Sequence, residues 1–116
     1  MTIRPNLVTF SVPCDDLEKA SDFYRKLLGK DPEEPAPGNL EFELFDGVWL
    51  QLNGDPVEAG KPARLLLGVD DIESAATETS EAGAEVGQIE RYEDVLAWAE
   101  ATGPGNQRVS LVQING

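Results

Sequence analysis

Apolar and polar residues alternate along several short stretches of this chain, and two stretches between them repeat at helical spacing. From Asn6 to Val12, Val8, Phe10 and Val12 fall on one face and Leu7, Thr9 and Ser11 on the other, the period of a half-buried strand. The segment that organises the rest follows, from Val12 to Gly29. In it Leu17, Ala20, Tyr24, Leu27 and Leu28 share one helical face, which predicts a helix over about residues 16–28. Asp15 reads as its N-cap, because a carboxylate there accepts from unpaired backbone N–H groups, and Glu18 stands three residues on as the capping partner. Gly29 stops the helix, since it takes a left-handed conformation without strain.

Lys30 to Asn39 contains Pro32, Pro35 and Pro37, so a strand there is confined to an irregular edge. Leu40 to Phe45 alternates again, and Asp46-Gly47 signals a turn before Val48 to Leu52. Register decides what this hairpin presents. A two-residue loop sets Leu40, Phe42 and Leu44 beside Trp49 and Gln51. A three-residue loop, Asp46 to Val48, groups Leu40, Phe42, Leu44, Leu50 and Leu52, and leaves Glu41, Glu43, Phe45, Trp49 and Gln51 opposite. Burial favours the register that segregates apolar from polar, hence the three-residue loop.

Asn53 to Pro62 reads as a linker rich in Gly and Pro. Beyond it the opening pattern returns. Leu65, Leu67 and Val69 mark a strand, and a helix over about residues 71–82 follows, with Asp70 as cap, Ile72, Ala75, Ala76, Thr79 and Ala82 inward and Gly83 as the stop. Val69-Asp-Asp-Ile-Glu-Ser-Ala75 echoes the first helix start, and Asp15 to Asp70 is a shift of 55 residues, close to half the chain. Glu85 to Tyr92 reads as a strand. Asp94 to Ala101 suits a strand or a short helix, Gly103 to Asn106 is a turn, and Arg108 to Ile114 is a final strand.

The 116 residues suit a single domain, 1–116, with one module over about 1–54, a linker over about 53–62 and a second module over about 62–116. Net charge is −13, which disfavours nucleic acid and anionic membrane surfaces and permits a cationic ligand. No apolar run is long enough to cross a membrane, and the start shows no signal peptide. Cys14 is the only cysteine, so a reducing cytoplasm is the expected location. There is no histidine, which removes the commonest metal ligand and the commonest general base together.

These features resemble the vicinal oxygen chelate superfamily of glyoxalase I, extradiol dioxygenases and bleomycin resistance proteins. The match is carried by Val12-Pro-Cys-Asp-Asp-Leu-Glu-Lys-Ala20 with Phe23-Tyr24 and Leu28-Gly29, then Val69-Asp-Asp-Ile72, Glu81-Ala-Gly-Ala-Glu85, and Thr102-Gly-Pro-Gly-Asn106 before a strand that holds Gln113. The resemblance implies an α+β fold of two βαβββ modules. Their strands form a cupped, partly closed mixed sheet with helices on the outer face and the ligand site on the concave one. It favours a strand at Val95 to Thr102 and implies a homodimer. Metal-dependent relatives place His, Glu or Gln at positions that fall here on about Leu7, Gln51, Arg64 and Ser110. Leucine cannot ligate and a guanidinium repels a divalent cation, so no metal or other cofactor is expected.

The candidate ligand-binding residues divide by charge. Glu41, Glu43, Phe45, Trp49 and Gln51 form an acidic and aromatic face suited to a cationic, partly planar molecule. Arg64 and Arg108, with Trp98 and Ser110 as further lining, would anchor a carboxylate or phosphate, or else neutralise the two glutamates. Each tryptophan is either core or stacking wall, and the glutamates are either a solvated face or a base. Cys14 reads as structural, since Asp15 and Asp16 disfavour its thiolate. The expected function is a metal-free small-molecule binding protein of the glyoxalase/bleomycin-resistance type that sequesters a cationic drug or metabolite. The alternatives are a lyase, isomerase or dioxygenase of the same superfamily, and a dimeric interaction module with no ligand.

Overall fold

A computed structural model describes residues 3–115, which divide into two compact units. One is Thr9–Ala63, and the other runs from Arg64 onward and takes in the residues up to Val8. The chain is α+β, with both parallel and antiparallel strand pairs.

The first unit contains most of β1 (Leu7–Pro13), then α1 (Leu17–Leu28), β2 (Glu33–Ala36), β3 (Asn39–Phe45) and β4 (Val48–Asn53), in the spatial order β2-β3-β4-β1. Phe42 and Leu52 are fully buried and Leu50 nearly so, with Val12, Leu17, Ala20, Tyr24, Leu28 and Leu40 packed against them. β2 is the expected proline-rich edge, with an irregular register on β3. Gly29 ends α1 in the left-handed conformation (φ 69°), its N–H donating to the Arg25 carbonyl at 2.8 Å.

Two expectations for α1 need correction. Asp16, not Asp15, is the N-cap: its carboxylate accepts from the Lys19 N–H at 3.0 Å, so the residue three along is a lysine and the box with Glu18 does not form. Leu27 is 64% exposed rather than inward, and Ser21 is buried in its place. Asp16→Ala is expected to cost about 1 kcal/mol in urea unfolding, with Asp15→Ala near neutral. Equal losses for the two would place the cap elsewhere.

The second unit holds β5 (Arg64–Gly68), α2 (Ile72–Glu81), β6 (Glu85–Val86), β7 (Glu90–Tyr92), β8 (Leu96–Gly103) and β9 (Gln107–Ile114). β5 runs parallel to β9, β9 pairs antiparallel with β8, and both β6 and β7 pair with β8. The strand that the resemblance favoured over 95–102 is present as β8, one residue later with Val95 in the preceding turn, and the strand expected over 85–92 is split in two, with Ile89 between the pieces packed on the core. That core is Val69, Ile72, Ala75, Ala97 and Leu111. Again the cap lies one residue later than expected, since Asp71 accepts from the Ser74 N–H at 3.2 Å while Asp70 accepts from the Asn6 side-chain amide at 2.6 Å. Ala82 is exposed, past the helix end. Gly68 is required by close approach: a Cβ there would stand 2.7 Å from the Leu7 Cβ. No helix among the described residues is long and apolar enough to cross a membrane.

Candidate functional site

In the first unit the β3–β4 hairpin sets the candidate face. Leu40 pairs with Leu52 and Phe42 with Leu50 on the helix side, so Glu41 opposite Gln51 and Glu43 opposite Trp49 share the other side. This is the segregation that the three-residue loop was expected to give, reached by another route. Phe45 pairs with Val48 across a two-residue Asp46-Gly47 turn, and a bulge at Leu44 absorbs the extra residue. Two expected placements change as a result. Leu44 leaves the apolar group and is exposed, and Phe45, paired with Val48, is turned off the Glu43–Trp49 face to stand 67% exposed.

Polar contacts hold part of this face in place. The Ser11 hydroxyl donates to Gln51 Oε1 at 2.6 Å, and Gln51 Nε2 donates to Glu41 Oε2 at 2.9 Å. Ser11 is buried, while Glu41, Glu43, Trp49 and Gln51 are half-buried. Trp49 lies outside the cluster packed against α1, which leaves its ring on the face of the two glutamates. Ser11 was not among the expected site residues, although the alternation of β1 already set it opposite the Val8–Val12 face.

In the second unit Val109 and Leu111 pack toward α2, so Arg108 and Ser110, which alternate with them, lie on the other face of β9. Ser110 pairs with Glu100 on β8 and with Leu66 on β5, which brings Arg64, Glu100 and Ser110 to one face; Trp98 joins them through its pairing with Val112. The Ser110 hydroxyl donates to Glu100 Oε2, and Arg64 Nε stands 3.6 Å from the same oxygen. The structure therefore gives Arg64 an acidic partner within its own unit, Glu100, which the sequence reading missed. The signal was its spacing of two from Trp98 once 95–102 is a strand.

The superfamily's metal positions carry an unsuitable donor set. Leu7 offers no donor, Arg64 is a cation already facing Glu100, and both ends of the Gln51 carboxamide are engaged by Ser11 and Glu41. Among the described residues no group of three or more His, Cys, Asp or Glu is placed to hold a metal ion.

Residues 8–107, most of the chain, match the sequence profile of the glyoxalase-like domain. The chain belongs to this family. Its solved structural neighbours are distant. A protein named as a glyoxalase/bleomycin resistance protein/dioxygenase superfamily member from Vibrio splendidus 12B01 is 19% identical, covering 98% of this chain and 100% of that one at a TM-score of 0.69. A Legionella pneumophila protein named as NAD-dependent benzaldehyde dehydrogenase is 22% identical, over 96% and 100% at 0.68. A methylmalonyl-CoA epimerase variant from Streptomyces coelicolor, solved with 2-nitronate-propionyl-CoA, is 16% identical, over 99% and 100% at 0.64. At these identities the likeness shows the glyoxalase-like fold alone. No match is found among curated proteins.

Cys14 does not join this chemistry. Burial pushes its thiol above the ordinary range; a backbone hydrogen bond involving Asn53 opposes that shift and the charge of Asp15 adds to it. The folded thiol keeps its proton to higher pH than the unfolded one. Its contribution to stability is thus full below the unfolded pKa and is lost as pH rises through the folded one. Iodoacetamide should alkylate Cys14 in the native protein several-fold more slowly than a free cysteine at about pH 8, and at the free rate after unfolding. Equal rates before and after unfolding would contradict the assignment.

Proposed function

We propose that this glyoxalase-like protein binds and sequesters a small molecule, and that Glu41, Glu43 and Trp49 hold a cationic, partly planar ligand. The observation that carries the reading is the hairpin register, which sets Glu43 opposite Trp49 and Glu41 opposite Gln51 on the face away from α1. A ring stacked on the indole with its charge toward the carboxylates gains dispersion, cation–π attraction and ion pairing at one place. Gln51, anchored by Ser11, steadies the Glu41 carboxylate so that less side-chain freedom is lost on binding. A net charge of −13 raises the local concentration of cations around the whole molecule. Glu100 offsets Arg64, which favours a cation over the anionic alternative.

Calorimetric titration with N-methylquinolinium and with quinoline, of similar shape but neutral above its own pKa, tests the charge. Glu41→Gln and Glu43→Gln should each weaken the cation by about 0.2–1 kcal/mol, since both sites are half-exposed, and leave quinoline unchanged. Tighter binding in both variants would reverse the sign of the ligand. Identical affinities for the two probes in all proteins would remove the acidic face from binding altogether.

A further inference from the structure

On the other side of the same unit a cleft of about 410 Å³ lies between α1 and the β2–β3 edge, lined by Leu17, Glu18, Ser21, Asp22, Arg25, Glu34 and Leu40. Ser21 is the unusual member. It is only 4% exposed, and among the described residues its hydroxyl has no hydrogen-bond partner. A helical hydroxyl normally has an easy exit, donation to the carbonyl four residues back. Thr79 takes it on α2, donating to Ala75 O at 2.7 Å, and so does Thr77 to Glu73 O at 3.1 Å. Ser21 does not, and a polar atom left unsatisfied out of water is costly.

The charges around this hydroxyl are one-sided. Arg25 is turned to Asp22 at 3.9 Å and to Asp31 at 3.5 Å. Glu18 and Glu34 make no ion pair among the described residues, so the cleft keeps an acidic rim over the apolar side chains of Leu17 and Leu40. A metal ion has no reason to sit on two leucines, and an anion would meet uncompensated carboxylates. A short alkyl chain carrying an ammonium group satisfies all three features: methylenes on the leucines, N–H donors to the carboxylates and to the Ser21 oxygen.

We propose that this cleft is a second ligand site, selective for small aliphatic ammonium compounds, with Ser21 as its buried anchor and Glu18 and Glu34 as its charge-selecting rim. It is independent of the Trp49 face, since it uses neither aromatic stacking nor any residue of that face.

The test is an amide NMR titration of the full chain with n-pentylammonium, n-pentanol and pentanoate as probes. Pentylammonium should give saturable shifts at Leu17, Ser21 and Leu40, pentanol weaker ones and pentanoate none. Glu34→Gln, on an exposed edge strand, should weaken pentylammonium about two- to fivefold without changing Tm. Ser21→Ala should weaken it too while raising Tm, because the alanine leaves no unsatisfied hydroxyl. Trp49→Ala should leave these shifts as they are, whatever it does to planar cations. Equal responses to all three probes, shifts confined to residues 41–51, or a lower Tm for Ser21→Ala would each overturn the assignment.

Discussion

Phe42→Ala should cost about 3–5 kcal/mol, the largest loss expected from one substitution in the first unit. Phe42 has no exposed surface, its ring lies 6.1 Å from that of Tyr24 on α1, and its cross-strand partner is Leu50. Removing the ring takes away the transfer free energy of a buried aromatic and opens a space under the helix. Backbone-paired strands on both sides of β3 keep that space from collapsing. Domains of this size have about 5–15 kcal/mol in total, so the urea midpoint should fall sharply with little change in m. A loss under about 1 kcal/mol would mean that the apolar side of the hairpin is not the side packed on α1, and the acidic face would lose its placement with it.

Leu111→Ala is the corresponding change in the second unit and should cost about 2–5 kcal/mol. Leu111 is fully buried between Leu67 on β5 and Ala99 on β8, and it packs in one cluster with Ile72, Ala75 and Ala97. Three of those neighbours are alanines, which have no rotamers with which to fill a void. The loss should therefore fall in the upper half of that range, whereas Leu111→Met should cost less than about 1.5 kcal/mol. Equal losses for the two variants would show that shape, rather than volume, limits this core.

Strand faces were legible in the sequence because a period of two leaves little room for error. The hairpin shows how far that goes. Segregating Leu40, Phe42, Leu50 and Leu52 from Glu41, Glu43, Trp49 and Gln51 requires one residue more than an unbulged two-residue hairpin holds, and hydrophobicity alone shows that much. Where that residue would go was not legible. The apolar pattern places it in the loop, but a bulge at Leu44 lets Asp46-Gly47 keep the two-residue turn, with Gly47 at φ 81°.

The helices were less exact. Each begins at an Asp-Asp pair, and either aspartate reads as a cap; in both, the second one reaches the N–H three residues on. The inward face of α1 was rotated for a related reason. Leu27 lies roughly 80° from Leu17 around the helix and Ser21 only roughly 40°, so packing buries the serine, while a count of apolar residues favours the leucine. Ser21 was therefore invisible as a candidate. Glu100 was passed over although the strand favoured at 95–102 sets it two residues from Trp98, because no composition rule pairs it with Arg64.

The most direct measurement of the central claim is tryptophan emission in a Trp98→Phe variant, which leaves Trp49 as the one indole. N-methylquinolinium should quench it along a saturating curve, and the apparent affinity should fall as salt rises, because solvent still reaches the carboxylates. Trp49→Ala should cost about 1–2 kcal/mol of binding by calorimetry, from lost stacking and cation–π attraction. A quench that grows linearly with probe and ignores salt would be collisional, and would contradict a binding face built on Glu41, Glu43 and Trp49.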